Sequence, residues 1–419
     1  MNKIHYKRLN CRLCESTDLE LTLNLKPTPI GDRYLAIKEP EINSLLVPLD
    51  LYLCDSCGHL QTGSIIDPKQ IYLHYLSRPA AINKNLSESY SQYCHQILRL
   101  YNPTPKRLIL EIGSNDGTFL KFFKERGFNV VGVDPATNLS ESASIIGIPT
   151  IPKFFNEQLA HEIKNSHGKA SVIIANFVYG NIDNIIDTTR GIRNLLSDDG
   201  IFIFETNYRL DVFEKHLIES INNEHLSYFS VAPLKTFFNS QGLQLINVAR
   251  VSSKGGSIRC TVQLNGGPRK VNKNVEDLIA LEHASGLYNK RFYNSCSSNI
   301  DSVKNKLHQI LELDLKKDLS LAGYGTSIGA TTLIYQLDLG DIISFLVDDD
   351  PYRQNLFSPG YNIPVLSPTA IKVNKPEYVA ILAPLYAKNI MNKNIQFLNE
   401  GGKFIKVWPS VDVIKNNVG

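Results

Sequence analysis

The chain has 419 residues, 43% apolar and 20% charged, the balance of an ordinary globular protein long enough for two or three cores. Its formal charge is only +3 and no dense Lys/Arg block is present, so charge gives no support to nucleic-acid binding. No apolar run approaches the ~18 residues of a membrane span, and Met1-Asn2-Lys3-Ile4-His5-Tyr6 lacks the apolar core of a signal peptide.

The first signal along the chain is a pair of CxxC motifs, Cys11-Arg12-Leu13-Cys14 and Cys54-Asp55-Ser56-Cys57. This spacing turns two thiolates toward one ion, and two such pairs in one segment predict a closed, tetrahedral, structural zinc site. A redox or incidental role for the pairs is the duller alternative. Residues 1–70 then read as a small zinc-binding module, short on core and dependent on its metal for folding. Cys94, Cys260 and Cys296 stand alone. An odd count without a framework of pairs fits a reducing cytoplasm better than disulfides.

Residues 71–274 alternate strand-like and helix-like segments. Short apolar runs at Leu108–Ile112, Asn129–Val133, 172–175 and 201–204 read as buried parallel strands. Helical stretches at 118–126 and 156–164 lie between them, and strand-like segments at 244–251 and 258–264 close the sheet. The pattern predicts a doubly wound α/β fold. The first strand runs into Glu111-Ile112-Gly113-Ser114-Asn115-Asp116-Gly117. Gly113 and Gly117 allow close approach of a ligand to the backbone. Glu111 is placed to meet an ammonium group, with Asn115 and Asp116 beside it. The second strand ends at Asp134, where a carboxylate can accept both hydroxyls of a ribose. Glu-x-Gly followed by G-x-x-x-G, rather than G-x-G-x-x-G, points to S-adenosylmethionine over a dinucleotide. Asn176, at the third strand's end, is either a wall of that pocket or a strand cap.

Residues 275–316 carry helical spacing, with Ile300, Val303, Leu307, Ile310 and Leu311 on one face. From 317 to 419 a second βαβ pattern appears: a strand at 319–322, the loop Gly323-Tyr324-Gly325-Thr326-Ser327-Ile328-Gly329, a helix, and a strand Ile343–Val347 ending in Asp348-Asp349-Asp350. The loop can cradle a diphosphate at a helix N-terminus, or serve packing alone.

These pieces resemble the sugar C-methyltransferases that add a methyl group to C3 of a nucleotide-linked 4-keto-deoxysugar. The resemblance rests on the CxxC…CxxC module, residues 111–117, Glu224-His225-Leu226-Ser227-Tyr228-Phe229-Ser230, Gly255-Gly256-Ser257-Ile258-Arg259, Gly323-x-Gly325 and Pro359-Gly360-x-x-Ile363-Pro364. It implies a class I methyltransferase sheet flanked by the zinc module and a C-terminal Rossmann-like domain. S-adenosylmethionine is then the cofactor and a nucleotide-activated sugar the partner. By matched position His225 is the base and Glu224 its neighbour. Independently, a neutral imidazole suits abstraction of a proton acidified by an adjacent ketone. Arg259 is a candidate for the diphosphate, since a guanidinium fork matches phosphate oxygens; a surface ion pair is the alternative.

The sequence departs from that family in places. Asn222 stands where a tyrosine precedes x-Glu-His, Asn181 where a histidine follows the third strand, and Pro384-Leu385 where Trp-Asn is frequent. Within Tyr72-Leu73-His74-Tyr75-Leu76-Ser77-Arg78, Tyr75 is expected as the substrate-facing phenol, or else as core. The expectation is C3 methylation through an enolate, with Asn181, Asn222 and Arg259 on the substrate. O-methylation of a sugar hydroxyl, or a non-catalytic relative that binds cofactor or sugar nucleotide, are the other readings.

Overall fold

The computed structural model describes residues 5–38, 45–73, 84–315 and 320–416, and every element below belongs to these. The N-terminal segment forms β1 (His5–Lys7), β2 (Leu19–Leu23), β3 (Leu51–Cys54), β4 (Leu60–Thr62) and β5 (Ser64–Ile66), with β1 on β5 and β2-β3-β4 antiparallel. Alternation along β3 buries Leu51 and Leu53, which meet Leu60 of β4. A short helix, Pro68–Tyr72, follows. Its start is set by Asp67, whose carboxylate accepts the Lys69 amide, and by proline in its first turn.

The central sheet contains β6 (Leu108–Ile112), β7 (Asn129–Val133), β8 (Thr150–Ile151), β9 (Ala170–Asn176) and β10 (Leu196–Asn207). After the short strand β11 (Ser227–Tyr228) it is completed by β12 (Leu243–Val251) and β13 (Ser257–Leu264). The order is β12-β13-β10-β9-β6-β7-β8, parallel from β10 to β8, with β13 antiparallel to both its neighbours. Both faces are covered. Leu108, Leu110 and Ile112 belong to one apolar layer, and Ile109 belongs to the other with Phe119 and Phe123. Burial on both sides is why these strands read as continuous apolar runs. β9 and β10 extend past the apolar runs at 172–175 and 201–204. Their last residues, Asn176 and Glu205-Thr206-Asn207, are polar but are held in the sheet by ladder partners.

Residues 274–315 form the helices Asn274–Ala284 and Arg291–Leu315, the second burying Ile300, Val303, Leu307 and Leu311. The C-terminal sheet comprises β14 (Leu321–Tyr324), β15 (Ile343–Val347), β16 (Val365–Leu366), β17 (Tyr378–Ile381), β18 (Lys403–Lys406) and β19 (Asp412–Ile414). Its order is β16-β15-β14-β17-β18-β19, parallel except for β19. One apolar cluster runs through Leu23, Leu51 and Leu60, then Phe213 and Ile218, then Tyr293 and Leu307, and on to Leu333 and Leu346. The N-terminal and C-terminal parts thus share a core. No described helix is long and apolar enough to cross a membrane.

Two devices tie the N-terminal segment to the central sheet. β11 pairs antiparallel with β4, Ser227 opposite Gln61. Arg12, inside the first CxxC and wholly buried, donates to Asp183 at 3.0 Å, to the Thr62 carbonyl at 2.9 Å and to the Leu226 carbonyl at 3.2 Å. Asp183 also accepts from Arg8 at 2.9 Å and from the Tyr6 hydroxyl. Burial alone would raise the Asp183 pKa, but Arg12, Tyr6 and Arg8 hold it below the usual carboxylate range. Asp183→Asn would leave a buried guanidinium without its counter-charge, and a loss of about 3 kcal/mol is expected, read from the urea midpoint. A depressed carboxylate contributes stability above its unfolded pKa of about 3.9 and loses it as pH falls through the lower folded value. The substituted protein should therefore lose less stability than wild type on acidification below about pH 4; equal acid sensitivity would refute the coupling.

Candidate active site

The cofactor end of the site follows from the turn after β6. Gly113, Asn115 and Gly117 all have positive φ (72°, 52° and 75°), so the chain folds back under the carboxyl ends of β6 and β7. A Cβ on Gly113 would sit 2.3 Å from Val178 Cγ2, which leaves glycine as the residue that fits. Asp134 ends its strand with both carboxylate oxygens engaged: Oδ2 accepts from the Asn115 amide and Oδ1 from the Ala136 amide, each at 2.9 Å. Each oxygen keeps a second lone pair for a hydroxyl. Burial raises the Asp134 pKa and the two amides oppose that shift.

A cavity of about 1230 Å³ opens over these strand ends. Ile112, Gly113, Asn115, Asp134 and Asn176 line one part; Tyr72, Phe177, Asn181, Asp183, Lys254 and Arg259 line the rest. Glu111, Asp116 and Gly117 stand behind the wall. Strand alternation turns Glu111 to the Ile109 face, where its field reaches the Tyr90 and Tyr93 phenols. The Asp116 carboxylate accepts the Thr118 amide at 3.1 Å and so starts the next helix, Thr118–Lys124. Glu111 is 4% exposed, its Oε2 has no partner among the described residues, and burial, with Asp134 and Asp116 nearby, pushes its pKa well up. A buried carboxyl oxygen without a donor, one layer behind a glycine cradle and a strand-end aspartate, fits S-adenosylmethionine: Glu111 for its ammonium, Asp134 for its ribose. Asn176 lines the cavity as a wall, its Nδ2 without a partner among the described residues.

The loop after residue 220 lies behind the other end, against Gly180. Asn222 does not line the cavity. Its Oδ1 accepts the amides of Glu224 at 3.0 Å and His225 at 3.1 Å, an Asx-type turn that presents those two side chains. The expected substrate contact is therefore a local cap, because a short carboxamide reaches its own backbone first. His225 is 8% exposed, and its Nε2 is buried without a partner among the described residues. It lies against Gly180, where a Cβ would come within 2.9 Å of Cε1. It is not itself a lining residue of the cavity. Burial, then Lys254, drops its pKa to about 3, so the ring is neutral near pH 7. The charge of Glu224, the residue before it, reaches Tyr72 and Lys254.

Tyr75 lies outside the described residues. Tyr72, three residues earlier in the same aromatic stretch, is the phenol found in the cavity; its hydroxyl bonds Asn181 and its pKa is well raised by burial. Arg259 lines the cavity, but its guanidinium pairs with Glu205 at 2.7 Å, donates to Gln96 at 3.0 Å and stacks 3.5 Å over Tyr93. That occupied fork corrects the diphosphate expectation. Lys254 was missed altogether. It sits just before the Gly255-Gly256 motif, and nothing in the local pattern marks its side chain as cleft-facing.

The four CxxC sulfurs gather as expected, their ligand atoms all within 4.8 Å of one another. Cys11 and Cys57 Sγ are 3.6 Å apart, Cys14 and Cys54 Sγ 3.5 Å. Tetrahedral zinc with Zn–S bonds near 2.3 Å needs a spacing of about 3.8 Å, so the set fits the metal with little movement. The C-terminal glycine loop is used for packing. Asp348 accepts the Thr326 amide at 2.9 Å and its hydroxyl at 2.6 Å. Arg353 binds the Thr326 carbonyl at 3.1 Å and pairs with Asp32. Residues 31–34 then pack over the loop, with Gly31 against Ile328 and the Tyr34 ring under Arg353.

Fold and cleft together define a class I S-adenosylmethionine-dependent methyltransferase with a structural zinc module. Comparison with known proteins narrows this. Residues 11–72 match a putative zinc binding domain, 83–248 a methyltransferase domain and 252–409 a C-methyltransferase C-terminal domain. The chain is 29% identical over 408 residues to C-methyltransferase NovU of Streptomyces niveus, covering 96% of each. The three matched regions follow one another along residues 11–409, and the relative is matched over nearly its whole length. Among solved structures, an S-adenosylmethionine-dependent methyltransferase from Clostridium acetobutylicum is 13% identical over 43% of this chain and 92% of its own, TM-score 0.34. Magnesium protoporphyrin IX methyltransferase from Synechocystis is 15% identical over 42% and 82%, TM-score 0.32.

Two outcomes check the site. Asp134→Asn removes one charged acceptor, and cofactor affinity by calorimetry should fall about tenfold to a hundredfold; unchanged affinity would displace Asp134 from the ribose. Protein purified without chelator should carry zinc, and Cys54→Ser should lower both metal content and melting temperature. Metal-free wild type with an unchanged melting temperature would remove the zinc assignment.

Proposed function

We propose that this C-methyltransferase acts on C3 of a nucleotide-linked 4-keto-deoxysugar through an enolate. The observation that carries the reading is the size and reach of this cavity. At about 1230 Å³ it exceeds what one small ligand ordinarily needs. It runs from the Asp134 carboxylate to a group of phenol, amide and ammonium around Tyr72, Asn181 and Lys254. Cofactor and acceptor can share it, which brings the reacting atoms into one orientation.

The chain's own residues then have distinct tasks. Glu111 and Asp134 hold the two ends of the cofactor, which supplies a methyl group activated on sulfonium. A ketone at C4 acidifies the C3 proton, and His225, kept neutral by burial, is the base that receives it. Asn222 aims that residue through its backbone amide. Tyr72 and Asn181 supply donors toward the sugar, and Asp183, fixed by Arg12, closes the wall beside them. The match to C-methyltransferases favours carbon over a hydroxyl oxygen as the acceptor.

In deuterated water the protein should exchange the C3 proton of a 4-keto sugar nucleotide, a step that O-methylation does not need. Methyl transfer without that exchange would sink the enolate route. His225→Ala should lower turnover by at least about a hundredfold while cofactor binding persists; unchanged turnover would exclude His225 as the base.

A further inference from the structure

Among the described residues three cationic side chains line the cavity: Lys153, Arg259 and Lys254. Lys153 is paired with Glu162 at 3.1 Å and Arg259 with Glu205 at 2.7 Å. Lys254 has no ion pair among the described residues. Its ammonium lies 3.8 Å from the centroid of the Phe177 ring. Both residues are held in left-handed backbone conformations, Phe177 at φ 53° and Lys254 at φ 48°. For non-glycine residues that conformation costs on the order of 1 kcal/mol and persists where the surroundings impose it. Here Leu217 and Leu385 close on the adjoining Gly255, and the Phe177 amide is bound to the Glu205 carbonyl at 2.7 Å.

The position of this ammonium relates it to the proposed base. Lys254 is the charged group whose field acts on the His225 imidazole, and the charges of Glu205 and Glu224 act on Lys254 in turn. Although its side chain stays accessible from the cavity, desolvation by the cleft walls lowers its pKa to about 8, which still leaves it mostly protonated at neutral pH. The Asn181 amide and the Tyr72 phenol are uncharged donors on the same part of the wall.

We propose that Lys254 is a catalytic residue that donates to the C4 oxygen of the acceptor and stabilises the enolate. The inference rests on the reading of the reaction given above. In that step the C3–H bond breaks and its proton passes to His225. The bonding pair becomes the C3–C4 double bond, and the carbonyl π pair moves to oxygen, where the ammonium faces it. Carbon 3 then takes the methyl group as the S–CH3 bond breaks, its pair staying on sulfur, and the ketone reforms. A fixed cation aimed at developing oxygen charge works best where water is displaced, as in this cleft.

The test compares wild type with Lys254→Met and Lys254→Arg on a panel of 4-keto sugar nucleotides, with cofactor affinity and melting temperature measured alongside. For Lys254→Met, kcat should fall about a hundredfold, with KM within about threefold of wild type, and C3 exchange in deuterated water should fall in parallel. Lys254→Arg should recover at least about a tenth of the wild-type kcat. Turnover of Lys254→Met within about threefold of wild type, or a loss confined to KM, would overturn the proposal; the latter would put the ammonium on the substrate's diphosphate. If Lys254→Met loses cofactor binding or melts early, Lys254→Arg decides: an inactive but folded and cofactor-binding Arg variant overturns the role. A wild type inactive on every 4-keto sugar nucleotide would instead remove the reading of the reaction, and this role with it.

Discussion

The structure hinges on one buried guanidinium. Arg12 is threaded between two cysteines of the zinc site, and its donors reach Asp183 on the cavity wall and the carbonyl of Leu226, the residue after His225. Removing a guanidinium from water is costly unless its donors find partners, and Arg12 finds a carboxylate and two carbonyls. The four cysteines frame the turn from which Arg12 projects, so the zinc module reaches the cavity wall through this one side chain. The pairing of β11 with β4 reinforces the same joint from the backbone side.

The C-terminal part works by the same logic of filled space. Its glycine loop and strand-end aspartate have the makings of a nucleotide site, yet Thr326 occupies Asp348 and residues 31–34 lie over the loop with the Asp32–Arg353 pair. The apolar cluster that joins both ends of the chain makes this docking part of the core. Tyr386, just after Leu385, lines the cavity rim, so the C-terminal part completes the site without binding a nucleotide through its own loop.

Legibility followed the range of the interactions. The β6 turn, Asp134 and the four cysteines could be read locally because each belongs to a short motif whose geometry follows from neighbouring φ values and strand ends. Tyr72 and Tyr75 could not be told apart by period in a stretch with aromatic residues at both positions; the Asp67 cap sets where the helix starts and thereby brings Tyr72 to the cavity. Asn222 was misread because a carboxamide beside Glu-His can bind a ligand or its own backbone, and only the folded turn distinguishes them. Arg259 pairs with Glu205 across antiparallel strands 54 residues apart, a partner that no local pattern reveals.

Sequence alone determined the α/β sheet, the four-cysteine set and the glycine turn after β6, since glycine permissiveness, strand burial and thiolate spacing are properties of short stretches. Tertiary structure decided which polar side chains share the acceptor end of the cavity. Lys254, Phe177, Tyr72 and Asn181 meet there from separate strand ends and loops, and whether each polar group is paired, desolvated or aimed into the cleft depends on neighbours brought together by folding.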